Sequence, residues 1–185
     1  IFASYSDILS YDLITVDQAK TKIKTVLGSY ALNNLVIAYE SDTQNLKVSG
    51  ISQVGSSVIN DVAIEISNQL PELSNLDFKV YDVKQLKSDL SAAMGDFTKY
   101  VNIMVDVNAN KIILTGYLTK NQQLTLNQNL TSFISSYTPT VTLALEIQDP
   151  LEVMPFQLYC VYDGDPGYII TNNGNVVYVG GEIDG

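Results

Sequence analysis

The sequence predicts an α+β fold: two tandem copies of one small module, helix-strand-strand-helix-strand, followed by a β-rich tail. Three observations predict it. The strand pattern Leu46-Lys47-Val48-Ser49-Gly50-Ile51 returns 66 residues later as Ile112-Ile113-Leu114-Thr115-Gly116-Tyr117. A helix-start signal, Thr15-Val16-Asp17-Gln18, returns as Asp82-Val83-Lys84-Gln85. After Pro150 the helical periodicity gives way to short apolar runs separated by turn residues. The boundaries that follow are 15–82 for the first module, 83–149 for the second and 150–185 for the tail, with residues 1–14 preceding the first cap.

Each element has its own signal. In the first helix Thr15 caps the free amides, Gln18 returns the bond, and Ala19, Ile23, Val26 and Leu27 share one face that Gly28 ends. The second copy repeats this with Leu86, Leu90, Ala93 and Met94 before Gly95. A hairpin follows in each module, over Leu35 to Tyr39 and Leu46 to Ile51, then over Val101 to Val107 and Ile112 to Leu118. Period-two alternation turns Leu35, Ile37, Tyr39, Leu46 and Val48 inward in the first, and Val101, Ile103, Val105, Ile112 and Leu114 in the second.

Gly50 and Gly116 fall at equivalent strand positions, where a missing side chain permits close approach of the next helix. That helix carries Val58, Val62, Ile66 and Leu70 before Pro71, and Leu126, Leu130, Ile134 and Tyr137 before Pro139. Third strands run over Phe78 to Tyr81 and Val141 to Ile147, the latter with Val141, Leu143, Leu145 and Ile147 inward. Two helices thus cover one face of a three-stranded sheet in each module. The other face, bearing Val36, Ala38 and Tyr81, or Met104, Ile113 and Tyr117, is less polar than water favours, so a partner surface is expected on it.

Composition narrows the function. Ten basic and twenty acidic residues leave a net charge of −10, which opposes attraction to nucleic acid or an anionic membrane surface. No apolar stretch approaches the roughly 20 residues that cross a bilayer, so a membrane anchor is expected outside these residues. The chain reads as an excised piece of a longer protein. Histidine is absent, which removes His-based triads and common zinc sites. No phosphate loop follows a strand, and neither a cofactor nor enzymatic activity is expected. Asp163-Gly164-Asp165-Pro166-Gly167 reads as a turn because it lacks the glutamate of a calcium loop. Asp61 and Glu65, one helical turn apart, read as a solvated pair. Cys160, within Leu158-Tyr159-Cys160-Val161-Tyr162, reads as a buried strand residue.

The tail carries a further signal. The run from Tyr168-Ile169-Ile170-Thr171 through Asn172-Asn173-Gly174-Asn175 and Val176-Val177-Tyr178-Val179 to Gly180-Gly181-Glu182-Ile183-Asp184-Gly185 resembles the C-terminal pattern of the YscD/PrgH/EscD family. The asparagine-rich, histidine-free composition leans towards an EscD-like member. That family forms the outer component of the inner-membrane ring of bacterial type III secretion injectisomes, and its periplasmic region is a string of ring-building modules. The resemblance implies a non-enzymatic periplasmic scaffold and makes residues 1–14 the remnant of an upstream segment. It also implies a homo-oligomeric ring, with the inner-ring lipoprotein and the outer-membrane secretin as partners. Helices of one protomer would pack on the sheet of the next, with Val36, Tyr81, Met104, Ile113 and Tyr117 as the expected contact residues. The alternative is a BON-like periplasmic module that binds membrane or a small ligand.

Overall fold

The computed structural model describes residues 14–43, 45–71, 76–154 and 157–181. The upstream remnant apart from Ile14, the Gln44 position of the first turn, the Phe156 strand start and the Glu182 to Gly185 turn lie outside the described residues.

The first module starts with helix α1 (Val16–Ser29), closed by the expected reciprocal cap: Gln18 N–H donates to Thr15 Oγ1 at 3.2 Å and Thr15 N–H to Gln18 Oε1 at 2.9 Å. Its buried residues are Ala19, Ile23, Val26 and Leu27, the face expected from the spacing. The end differs. Gly28 lies inside the helix, and the chain leaves through Ala31 at φ 59°. Leu32 N–H bonds back to Leu27 O and Ala31 N–H to Gly28 O, the paired closure that usually selects glycine at Ala31's place. Burial of Leu32 beside Leu27 holds that residue in the left-handed region.

Strands β1 (Val36–Glu40), β2 (Asn45–Ser52) and β3 (Leu76–Asp82) form a sheet in that order. β1 and β2 are an antiparallel hairpin; β2 and β3 run parallel, a pairing that needs the crossover supplied by α2 (Ser56–Gln69). Ile59, Val62 and Ile66 of α2 are buried, and Leu70 closes the core at its end. The second module repeats this topology: α3 (Val83–Met94), antiparallel β4 (Val101–Asp106) and β5 (Lys111–Tyr117), then β6 (Thr142–Gln148) parallel to β5. Its crossover is two helices, α4 (Lys120–Asn129) and α5 (Thr131–Tyr137).

Several second-module details depart from the periodicity reading. α3 is capped by Asp82, whose Oδ1 accepts from Lys84 N–H at 2.8 Å, but the reciprocal bond is absent; Gln85 donates to Asp89 instead. Asp82 is also the last residue of β3, paired with Ser52, so the end of the strand caps the helix with no linker between them. Gly95 ends α3 at φ 58°, as expected. The break at Leu130 shifts the helical phase, so Phe133 is buried where Ile134 was expected, and Ile134 is exposed. Tyr39 and Leu145, read as inward, are exposed on the edge strands of their sheets. Thr119 and Gln122 form a second full capping box, at the start of α4.

The tail comprises a short helix α6 (Pro150–Val153) capped by Asp149, and the antiparallel sheet β7 (Leu158–Tyr162), β8 (Tyr168–Thr171) and β9 (Val176–Tyr178). Cys160 is exposed, contrary to expectation, because this sheet joins neither hydrophobic core.

Candidate functional site

The parallel register places Val36, Ser49 and Lys79 on the outer face of the first sheet, with Ile51 and Tyr81 further along the same face. Ile51 is 0% exposed, and the apolar cluster that encloses it contains Leu86, Leu90, Ile112 and Leu114, all from the second module. Tyr81 packs edge-on against the Tyr137 ring at 4.8 Å. The second module therefore covers the far end of the first module's outer face. Tyr81 must be corrected accordingly: half-buried within the chain, it is not a free contact residue.

Polar bonds fix the junction. Asn110, at φ 50° in the β4–β5 turn, accepts from Ile51 N–H at 2.8 Å, and Asn34 Nδ2, held by Ile51 O of its own module at 2.7 Å, also donates to Val107 O of the second module at 3.4 Å. Gly50 sits at φ 148°, and a Cβ there would lie 2.9 Å from both Asn110 Oδ1 and Leu35 Cδ2. The strand glycine thus admits the second module's turn, not the following helix. Gly116 differs again: its Cβ would lie 2.3 Å from Tyr100 O.

Each module also ties its two helices with a tyrosine. Tyr30 Oη donates to Glu65 Oε2 at 2.6 Å, and Tyr137 Oη donates to Asp89 Oδ2. Glu65 is thereby engaged, not merely solvated beside Asp61. Burial, and after it the hydrogen bond to Asp89, push the Tyr137 phenol up to about 12. The folded state holds this proton more tightly than the unfolded chain, so its stabilisation is complete below pH ~10 and lost as pH rises through about 12. In an ultraviolet difference titration, Tyr137→Phe is expected to remove the latest-titrating tyrosine and to blunt the loss of stability across that window. An unchanged titration curve would show that the tie is not formed.

Beside the junction lies a cleft of about 770 Å³, bounded by the Ala31 to Asn34 turn, Gln53 and the β4–β5 hairpin, with Met104 and Ile113 on its wall. Among the described residues Asp106 is its sole ionisable lining residue, and that carboxylate accepts from Asn108 and Ala109 N–H in its own turn. Among the described residues, no group of three or more His, Cys, Asp or Glu side chains could hold a metal ion. None of their helices is long and apolar enough to cross a membrane.

The rest of the outer face is open. Met104, Ile113 and Ala144 form one cross-strand row of the second sheet, and Tyr117 follows along β5. Met104 is 56% exposed, Tyr117 59% and, on the first sheet, Val36 49%, while Ile113 is half-buried. The structure thus brings Met104 and Ile113 together, leaves Val36 on a separate sheet and draws Tyr81 inside.

Fold and surface together define the class: a tandem-module α+β protein whose prominent feature is an uncovered sheet face. No family model and no curated protein matches the chain. Among the solved structures similar to it are two of one protein. One is CdsD, described as a structural protein of the type III secretion system of Chlamydia trachomatis, with a TM-score of 0.44 and 12% identity over 70% of this chain. The other is the C-terminal domain of CdsD from the same organism, with a TM-score of 0.41 and 12% identity over 72% of this chain. The chain spans 60% of the first structure's length and 66% of the second's.

Proposed function

We propose that this chain is a structural scaffold piece of the periplasmic inner-membrane ring of a type III secretion basal body, of the YscD/PrgH/EscD type. Copies assemble side by side through the open sheet face. The observation that carries the reading is the outer face of the second sheet, where Met104 and Tyr117 are more than half exposed and Tyr117 holds the place that Ile51 buries in the first module. Large apolar side chains exposed on one sheet face favour protein contact over water. The tail sequence supports the family, and the junction bonds support a stiff two-module unit suited to a ring wall. In that setting the inner-ring lipoprotein and the outer-membrane secretin are the partners, and the anchor lies elsewhere in the protein.

The test is the double variant Met104→Glu/Tyr117→Glu in the full protein. Both side chains are more than half exposed, so the melting temperature should hold while ring assembly and secretion fall by at least tenfold. Intact assembly in the double variant would refute the sheet-face reading. Binding to anionic vesicles at low salt would favour the BON-like alternative.

A further inference from the structure

The tail sheet is apolar on both faces. Tyr162, Tyr168 and Tyr178 form one cross-strand row, with ring centroids 4.9 and 5.7 Å apart, and Val161, Ile169 and Val177 form a row on the other side. None of the six is fully buried, none belongs to either core cluster, and Tyr159 and Val179 are more than 80% exposed. A small sheet without a core of its own needs a covering surface.

Charge indicates which one. Beyond Lys120 the sequence has no basic residue and seven acidic ones. Asp163 and Asp165 stand in the turn beside the tyrosine row, outside any ion pair among the described residues. At the other end of the chain α1 carries Lys20, Lys22 and Lys24 against a single acid, Asp17. Among the described residues the lysines found in ion pairs are Lys47, Lys79, Lys99 and Lys120, so all three lysines of α1 are unpaired.

We propose that the C-terminal sheet of one copy docks on α1 of a second copy, the acidic rim of the tail meeting Lys20 and Lys24, which stand one helical turn apart on one side of the helix. The aliphatic stems of those lysines cover apolar rings while their ammonium groups reach the carboxylates. Such a contact is heterologous: each copy offers a basic helix at one end and an acidic sheet at the other, so addition continues beyond a dimer. The inference rests on the assembly reading above and assigns it a second pair of surfaces.

Exposed Cys160 makes the test direct, as the chain has no other cysteine. Thr21→Cys, exposed between two of the lysines, is introduced into the 185-residue chain and treated with a short bismaleimide at about millimolar protein, the effective concentration of tethered modules. A ladder of dimers, trimers and higher species is expected, against dimers at most for the parent chain. Raising the salt well above physiological strength should weaken association about fivefold, as for two exposed pairs. Lys20→Glu/Lys24→Glu should abolish the ladder, as should Asp163→Lys/Asp165→Lys, and mixing the two variants should restore a ladder of alternating copies. Absence of a ladder, or a ladder indifferent to both charge reversals, overturns the inference. Association lost in Met104→Glu/Tyr117→Glu but unmoved by the reversals overturns it while leaving the sheet-face reading intact. A ladder that persists in that double variant does the opposite.

Discussion

Gly116→Ala is expected to destabilise the protein by about 3 kcal/mol, a large share of what a domain of this size possesses. The obstacle is backbone: the new Cβ would stand 2.3 Å from the Tyr100 carbonyl oxygen and 3.2 Å from Val101 Cα. Val101 and Gly116 are ladder partners, so neither strand moves away without unzipping the hairpin over the core. Gly28→Ala provides the opposite sign. That residue lies within α1, its nearest neighbour to a new Cβ is Asn33 Oδ1 at 3.4 Å, and alanine should add about 0.5–1 kcal/mol. Urea denaturation of both variants checks the pair. A Gly116→Ala protein as stable as the parent would refute the close approach.

The second large effect is expected for Ile51→Ala, at about 3 kcal/mol, since a fully buried side chain is truncated in a site held by neighbours on all sides. Its distinctive consequence is loss of coupling. Ile51 belongs by sequence to the first module and by packing to the core of the second. Removing it should split a single thermal transition, followed by far-ultraviolet circular dichroism, into two. Val48→Ala, whose side chain stays within the first core, should lower stability by a similar amount while leaving the modules coupled. If Ile51→Ala melts in one transition, the junction is not held chiefly by that side chain.

The duplication and most core positions were legible because burial in a small two-layer module imposes periods of 3.6 and 2 on the chain. The same reasoning failed where tertiary contacts override period. Nothing in the spacing of α1 reveals that Ala31, not Gly28, turns the chain; that depends on Leu32 being drawn into the core. The phase error between Ile134 and Phe133 comes from the break at Leu130, which no proline or glycine marks. Reading Thr119 and Gln122 by the rule applied at Thr15 and Gln18 would have located the start of α4. Of the surface candidates, Val36, Met104 and Tyr117 are exposed, because alternation alone decides which side of a sheet a residue faces. Tyr81 obeyed the same alternation and was still misplaced, since alternation says nothing of what a neighbouring module covers.

Ile51 and Tyr117 occupy the same place in the two repeats, yet one is sealed and the other faces water. A tandem array that buried this position in every unit would grow along its own axis for as long as units were added. In the second module this place is left open, with tyrosine there, a residue at ease with either water or an apolar neighbour. The two modules are therefore not interchangeable: one is committed inward and the other outward. The pair has a direction, and copies laid side by side would all point the same way.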